Sequence, residues 1–247
     1  MSFFNHLGRY LLMLKGIFTR PENARMYWKE LMHQSSEIGI GSLGIVMIIS
    51  IFMGAVSAVQ TAYQLISPLI SKSTIAQIVR DTVILEFAPT LVCIVLAGVV
   101  GSKIASELGN MRVSEQIDAL EIMGINTKAY LIAPKILAAL IVIPLLVILS
   151  MGLGIWGGRL AGTMANILSS DDYDRGLIES FVPYNVLFAT YKAFTFAFIL
   201  SSIPAYYGYY VKGGALEIGR SSTKSVVVSC IMILFADYIL AAIFLNK

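Results

Sequence analysis

Charged residues are scarce in this sequence. Asp, Glu, Lys and Arg together make up 13% of the 247 residues, whereas hydrophobic residues make up 57%, and the mean hydropathy is +0.78. Soluble domains carry roughly 25% charged residues. The composition therefore excludes an ordinary soluble domain and predicts an integral membrane protein.

Histidine and cysteine are scarcer still, with two residues of each. Both histidines, His6 and His33, precede the first long apolar run, so they cannot build a serine–histidine or metal site at membrane depth. Cys93 and Cys230 lie inside apolar runs and are interpreted as small apolar side chains. The GxxxxGKS/T phosphate loop is also missing. These absences predict that the chain is not an enzyme, holds no metal and does not hydrolyse ATP by that route.

Apolar runs with few or no charges recur five times along the chain. A membrane-crossing helix needs roughly 20 apolar residues, and each run is long enough. The predicted fold is therefore an all-α integral membrane protein that forms one domain. Its predicted spans cover about residues 43–65, 82–105, 133–158, 187–211 and 224–246.

Residues 1–38 are predicted to form amphipathic interfacial helices ahead of the first span. In the first of them, apolar residues such as Leu7, Leu11 and Leu14 recur at helical spacing. Pro21 is expected to begin a second short helix. An ordinary cytosolic helix packed on the protein is an open alternative. Most of the 18 Lys and Arg residues lie in segments that share one side of the membrane, which predicts a cytoplasmic N-terminus.

Two glycine patterns have structural explanations. Residues 39–44, GIGSLG, match the dinucleotide-binding spacing, but they open a charge-free run and do not follow a strand, so the match is interpreted as chance. Gly154, Gly158 and Gly162 recur every four residues, and small residues at that spacing allow helices to approach closely. This second pattern predicts a contact between helices.

Two acids, Glu86 and Asp237, lie inside predicted spans. A carboxylate in hydrocarbon is costly, so such a group faces a cavity or a partner. Glu86 either forms a structural ion pair, with Arg80 or with a neighbouring helix, or lines a polar pocket that meets a substrate headgroup. For Asp237 a structural hydrogen bond or an interfacial position is favoured over transport chemistry. Pro89 is expected to interrupt one helical hydrogen bond.

Residues 111–125, MRVSEQIDALEIMGI, concentrate charge between the second and third spans. Ser114 is expected to cap a helix of about nine residues, roughly 13 Å long, that Gly124 ends. A solvated loop helix is the ordinary reading, but a transporter driven by a cytosolic motor needs such a docking element. The helix is predicted to have an apolar face with Val113, Ile117 and Leu120 and an acidic side with Glu115, Asp118 and Glu121.

Residues 105–125, ASELGNMRVSEQIDALEIMGI, resemble the cytoplasmic signature of the MlaE-type permeases, the membrane subunits of ABC transporters that work with MCE-domain lipid-binding proteins. FMGAVSAVQTAYQL (52–65), LEFAPTL (85–91) and GGALEIGRSSTKSVVVSCIMILFADYIL (213–240) are similar to three further elements of that family. The resemblance covers nearly the whole chain. It implies that the 111–125 helix couples to the ATPase through Arg112, Glu115, Gln116, Asp118, Ala119 and Leu120.

The resemblance also implies an assembly. It would be a homodimer in a bacterial inner membrane, with two cytosolic ATPases, a periplasmic MCE-domain oligomer and no nucleic acid. ATP and Mg would bind the ATPase, so no cofactor is expected in this chain. Phospholipid would occupy a cavity between the two permeases, moving between membranes or maintaining outer-membrane asymmetry. The candidates for the lipid path are Phe52, Gln60, Glu86 and Asp237.

Two positions depart from the family pattern. Leu85 stands where many members have Arg before the acid of the second span, and Val99 also replaces a basic residue. Both changes remove positive charge near the expected lipid path or its cytoplasmic exit. Two other functions are alternatives. An ion-driven secondary transporter would show internal repeats and midplane charges, and a membrane scaffold without transport would leave the 111–125 helix without an ATPase.

Overall fold

The computed structural model describes residues 3–17, 24–65, 71–166 and 168–244. Within these ranges the regular structure is helical and contains no strand. Five of the helices are long and apolar enough to cross a membrane. The predicted fold class, an all-α membrane protein with five spans, is confirmed.

The helices are numbered here in chain order. The five spanning helices are α2, α3, α5, α7 and α8, and α3 and α5 each include π-helical turns, at Val83–Leu91 and Ala97–Gly101 in α3 and at Lys128–Ile132 in α5. The full set is α1 Phe3–Ile17, α2 Ala24–Gln64, α3 Ser73–Val113, α4 Gln116–Ile122, α5 Lys128–Met164, α6 Ser170–Ile178, α7 Pro183–Tyr209 and α8 Ala215–Phe244.

The N-terminal region differs from the prediction of two short helices. Pro21 lies outside the described residues, and from Ala24 onward a single helix runs without a break into the first span. Residues 24–64 contain no proline, and a glycine inside a helix lowers its stability without necessarily ending it, so nothing in this stretch ends a helix. In α1, Met13 is buried and Leu11 is exposed. That α1 lies in the membrane interface stays a prediction.

The chain divides into two compact units. The first contains residues 1–41, 94–142 and 197–235, and the second contains residues 42–93, 143–196 and 236–247. The first has a buried core that includes Met13, Leu96, Leu108, Ile117, Ile132 and Leu200, and the core of the second includes Val79, Val83, Ile143, Tyr173, Phe188 and Phe196.

In the second unit, α2 and α5 lie backbone to backbone. A Cβ atom added to Gly54 would overlap the carbonyl group of Gly154, and one added to Gly157 would overlap the carbonyl group of Ile51. Glycine is therefore required for this approach. Gly158 is similarly close to Tyr173. The expected close contact therefore exists at Gly154 and Gly158, two of the three predicted glycines. At Gly162 an added Cβ atom would meet only ordinary van der Waals contacts.

Arg80 joins α3 to α6 and does not pair with Glu86, so that proposed pairing is wrong. Its side chain is buried, and its guanidinium donates to Asp81 and to the backbone carbonyls at the end of α6. The distance from Nη1 to the carbonyl oxygen of Leu177 is 2.8 Å, and that to Glu179 is 2.9 Å. The last carbonyls of a helix lack partners within the helix, and an arginine can supply them. This explains why Arg80 is unavailable to Glu86.

Candidate functional site

A buried lysine in α7 gathers both of the acids that the sequence places inside spans. The side chain of Lys192 is 0% exposed. Its Nζ atom donates to Glu86 Oε1 at 3.1 Å and lies 2.5 Å from Asp237 Oδ1. The ring of Phe188 lies beside the ammonium, with 5.5 Å between Nζ and the ring centroid. We call Lys192, Glu86 and Asp237 the charge cluster; all three belong to the second unit.

The backbone of α3 supplies a third acceptor to Lys192. Nζ donates to the carbonyl oxygen of Leu85 at 2.8 Å. Leu85 and Pro89 lie in the π-helical stretch Val83–Leu91, where a carbonyl receives the N–H of the fifth residue along the chain, so the N–H missing at Pro89 is not the one that the Leu85 carbonyl needs. A carbonyl oxygen has two lone pairs, and the lysine is an additional donor to it.

The two acids are held differently. Glu86 is 46% exposed, and its Oε2 atom accepts a hydrogen bond of 3.3 Å from Thr90. Asp237 is mostly enclosed, and its Oδ1 atom has no hydrogen bond of good geometry. Its short contact with Lys192 is therefore an electrostatic one. Glu86 is the member of the cluster that reaches a surface.

The four predicted lipid-path residues fall into two groups. Glu86 and Asp237 meet at Lys192, whereas Phe52 and Gln60 lie on α2 with exposed side chains. In the described part of the chain, the hydrogen bonds and ion pairs of the charge cluster involve neither of these two. Their role in a lipid path stays a prediction.

Lys192 was missed as a site residue, although the sequence carried a signal for it. It lies inside the predicted fourth span, next to Tyr191 and Phe194. Two carboxylates in spans require a compensating cation, and a lysine within a span is the natural partner.

The charged segment between α3 and α5 forms a helix shorter than expected. α4 has seven residues, Gln116–Ile122, and Gly124 follows it with a φ of 82°, as the predicted stop requires. Ser114 does not cap α4. Its hydroxyl instead donates to the carbonyl of Asn110 at 2.7 Å, within the last turn of α3, and Glu115 takes a left-handed conformation before α4.

α4 is fixed to the rest of the first unit by three contacts. Ile117 is fully buried beneath the helix. Arg112 Nη1 donates to Asp118 Oδ1 at 2.6 Å. Glu121 Oε1 accepts hydrogen bonds from Tyr209 Oη at 2.8 Å and from Thr127 Oγ1 at 3.1 Å. Two of its acids therefore face partners within the chain.

The outward side of α4 is partly apolar. Ile122 is 87% exposed and Met123 is 66% exposed. Of the predicted coupling residues, Glu115, Gln116 and Ala119 are exposed, while Arg112, Asp118 and Leu120 are partly buried. Sequence reasoning missed Ile122 and Met123 because the predicted apolar face consisted of Val113, Ile117 and Leu120 alone. Both side chains lie at the C-terminal end of α4, just before Gly124.

α7 also contacts the N-terminal helix within the first unit. His6 Nδ1 lies 2.8 Å from Tyr206 Oη, and Tyr10 Oη lies 2.8 Å from Ser202 Oγ. Burial raises the pKa of Tyr10, which therefore stays a neutral hydroxyl. The residues of α7 near Tyr209 thus contact both α1 and α4.

Five helices long and apolar enough to cross a membrane, a charged residue set within them and a short helix between two of them fit a membrane permease. The sequence profile described as "Permease MlaE" matches residues 31–243. The chain therefore belongs to the MlaE permease family, as the resemblance of its motifs predicted.

Individual relatives agree with this assignment. The chain is 35% identical to a probable ABC transporter permease protein of Rickettsia bellii, over 96% of this chain and 92% of that protein. It is 30% identical to the intermembrane phospholipid transport system permease protein MlaE of Haemophilus influenzae, over 98% of this chain and 93% of that protein. It is 29% identical to the chloroplastic protein TRIGALACTOSYLDIACYLGLYCEROL 1 of Arabidopsis thaliana, over 92% of this chain and 65% of that protein.

Proposed function

We propose that this chain is the membrane-spanning subunit of an ATP-driven phospholipid transporter. It would act as a homodimer in a bacterial inner membrane, with its N-terminus in the cytoplasm. A cytosolic ABC ATPase would bind and hydrolyse ATP with Mg, and a periplasmic MCE-domain protein would exchange lipid with the permease. Such a system moves lipid between membranes or maintains outer-membrane asymmetry. The relative named for intermembrane phospholipid transport supports the choice of lipid.

The arrangement of α4 is the observation that carries the coupling part of this proposal. Its inner side is fixed by Ile117 and Glu121, while Ile122 and Met123 point outward. A motor protein that contacts the outer side would act on a rigid helix, because the inner contacts transmit displacement to α3 and α7. Coupling requires that ATP-driven closure favour one arrangement of the spans over another.

Two matched variants test this proposal. The double variant I122D/M123D places charge on the outer side of α4 and leaves Arg112, Asp118, Glu121 and Tyr209 unchanged. The tagged protein should be purified gently from native membranes and its partners identified by mass spectrometry. The unchanged chain is expected to bring an ABC ATPase, an MCE-domain protein and phospholipid, and the double variant should lose the ATPase.

The control is Met164→Asp, at an exposed methionine at the other end of a spanning helix. It should keep the ATPase. Equal recovery of the ATPase with I122D/M123D and the unchanged chain would contradict the coupling role of α4. Purification of the unchanged chain without any ATPase would contradict the ATP-driven function itself.

The charge cluster supports an ion-driven transporter as a second candidate, because ionisable residues in spans often form ion pathways. The two candidates differ in energy source. Lipid transfer by the reconstituted complex should require ATP and persist when a proton ionophore removes the pH gradient. Transfer that stops with the ionophore and continues without ATP would favour the ion-driven reading.

A further inference from the structure

Glu86 gives the charge cluster an acceptor that faces outward. Its side chain is 46% exposed, whereas that of Lys192 is 0% exposed. Oε1 receives a hydrogen bond from Lys192, and Oε2 receives one from Thr90. A carboxylate has about four acceptor positions in total. Glu86 therefore keeps capacity for donors from a bound molecule.

The ammonium of Lys192, in contrast, is enclosed, with two hydrogen bonds and one ion-pair contact. It has three N–H donors, and three acceptors of the described residues surround it, namely the carbonyl of Leu85, Glu86 and Asp237. A headgroup that approaches the cluster meets the carboxylate of Glu86 first. With all three side chains ionised, two carboxylates and one ammonium leave a formal charge of −1. The neighbouring residue Leu85 adds no positive side chain.

We propose that Glu86 makes this permease select phospholipids with a primary ammonium headgroup over phospholipids whose headgroup is only anionic. The proposal rests on the phospholipid transport function proposed above. An ammonium offers N–H donors and positive charge to Glu86, and hydrogen bonds between charged groups are about twice as strong as neutral ones. A headgroup with only a phosphate charge instead places like charges together beside Glu86.

A lipid competition experiment tests this selection. The intact complex, or the permease dimer if it purifies alone, is incubated with vesicles of equal parts phosphatidylethanolamine and phosphatidylglycerol with identical acyl chains. It is then repurified, and the bound lipids are quantified by mass spectrometry. The unchanged chain should enrich phosphatidylethanolamine about two- to fivefold, the size of one partly exposed charge contact.

Three variants make the result specific. Glu86→Gln keeps the shape and an acceptor for Lys192 but removes the charge, and it should bind the two lipids equally. Glu86→Asp keeps the charge and should retain the preference. Asp171→Asn removes an exposed negative charge in α6, outside the spans, and should behave like the unchanged chain. Thermal unfolding confirms that each variant is folded before its lipids are compared.

Two results would overturn the proposal. One is equal binding of both lipids by the unchanged chain, and the other is an undiminished preference in folded Glu86→Gln. In both cases lipid is bound, so the transport function stands while headgroup selection fails. If the unchanged chain carries no more lipid than an unrelated five-span protein in the same detergent, the transport function fails as well.

Discussion

The charge cluster and α4 both expose a carboxylate, but they differ in what surrounds it. In the charge cluster the partner of Glu86 is an enclosed cation, and the side chain of Glu86 is 46% exposed. In α4 the side chain of Asp118 is 47% exposed and pairs with the partly exposed Arg112, and apolar Ile122 and Met123 reach the surface at the C-terminal end of the helix. The first place therefore offers a carboxylate with a buried counter-charge, and the second offers apolar side chains among solvated charges. Chemistry that recognises a polar headgroup suits the first, and chemistry that recognises a protein surface suits the second.

Of the changes predicted here, replacing the enclosed cation Lys192 should have the largest effect. Lys192→Met leaves Glu86 and Asp237 without their shared partner inside spanning helices. Loss of one partner of a buried ion pair typically costs about 3–5 kcal/mol. We expect a strongly lowered unfolding temperature in detergent and little folded protein in the membrane.

The control for this variant is Lys103→Met. Lys103 pairs with Glu37 at 2.7 Å, but its side chain is 53% exposed, and such pairs contribute about 0–1 kcal/mol. The triple variant K192M/E86Q/D237N, which removes all three charges, should regain part of the lost stability. Equal unfolding temperatures for Lys192→Met and Lys103→Met would show that the cluster is not a buried charge site.

Removing one hydroxyl group tests how the inner side of α4 is held. Tyr209→Phe removes the donor to Glu121 but leaves Thr127 in place. The loss of one hydrogen bond to a charged group is about 1.5–3 kcal/mol, and it loosens the inner side of α4 without touching its outer side. We expect the ATPase to remain associated while lipid transfer per ATP hydrolysed falls severalfold.

The matched control is Tyr238→Phe, at an exposed tyrosine of α8. It should leave the ratio of lipid transfer to ATP hydrolysis unchanged. If Tyr209→Phe leaves that ratio unchanged too, the Glu121 contact does not transmit motion.

The smallest expected effect concerns an exposed pair in the second unit. Arg159 donates to both carboxylate oxygens of Asp174 at 2.8 Å, and this hydrogen bonding lowers the pKa of Asp174. Because the folded pKa lies below the unfolded one, the stabilisation is complete above the ordinary value of about 3.9 and is lost as the pH falls through the folded value.

Unfolding temperatures measured between pH 7 and pH 3 check this expectation. Asp174→Asn should flatten the acid end of the curve slightly and change little at pH 7, because both partners are solvated. A change at pH 7 as large as that of Lys192→Met would contradict the contrast between enclosed and exposed pairs.

The five spans followed from the sequence because each apolar run exceeds the thickness of a bilayer. The stop at Gly124 followed because the chain there needs a positive φ, which glycine accepts. The ends of short helices were harder to predict from the sequence. Ser114 is suited to begin a helix, but its hydroxyl closes the last turn of α3 instead, and only the course of the backbone decides between these uses.

The candidate site was partly predictable for a similar reason. Glu86 and Asp237 stood out because acids in spans are costly. Their meeting at Lys192 depends on which helices are neighbours, and no local pattern in the sequence gives that. Arg80 was the nearer cation along the chain, yet it faces the carbonyls of α6. Proximity in sequence was a poor guide to the partner.

The enclosure of Lys192 has a consequence for how the sequence can change over time. Its ammonium is surrounded by the Leu85 carbonyl, Glu86 and Asp237. A descendant that lost the lysine first would leave two carboxylates without a cation inside spanning helices, which is costly. One that lost a carboxylate first would still hold a neutral pair of one acid and the lysine. Lineages that abandon the cluster should therefore lose a carboxylate before they lose the lysine.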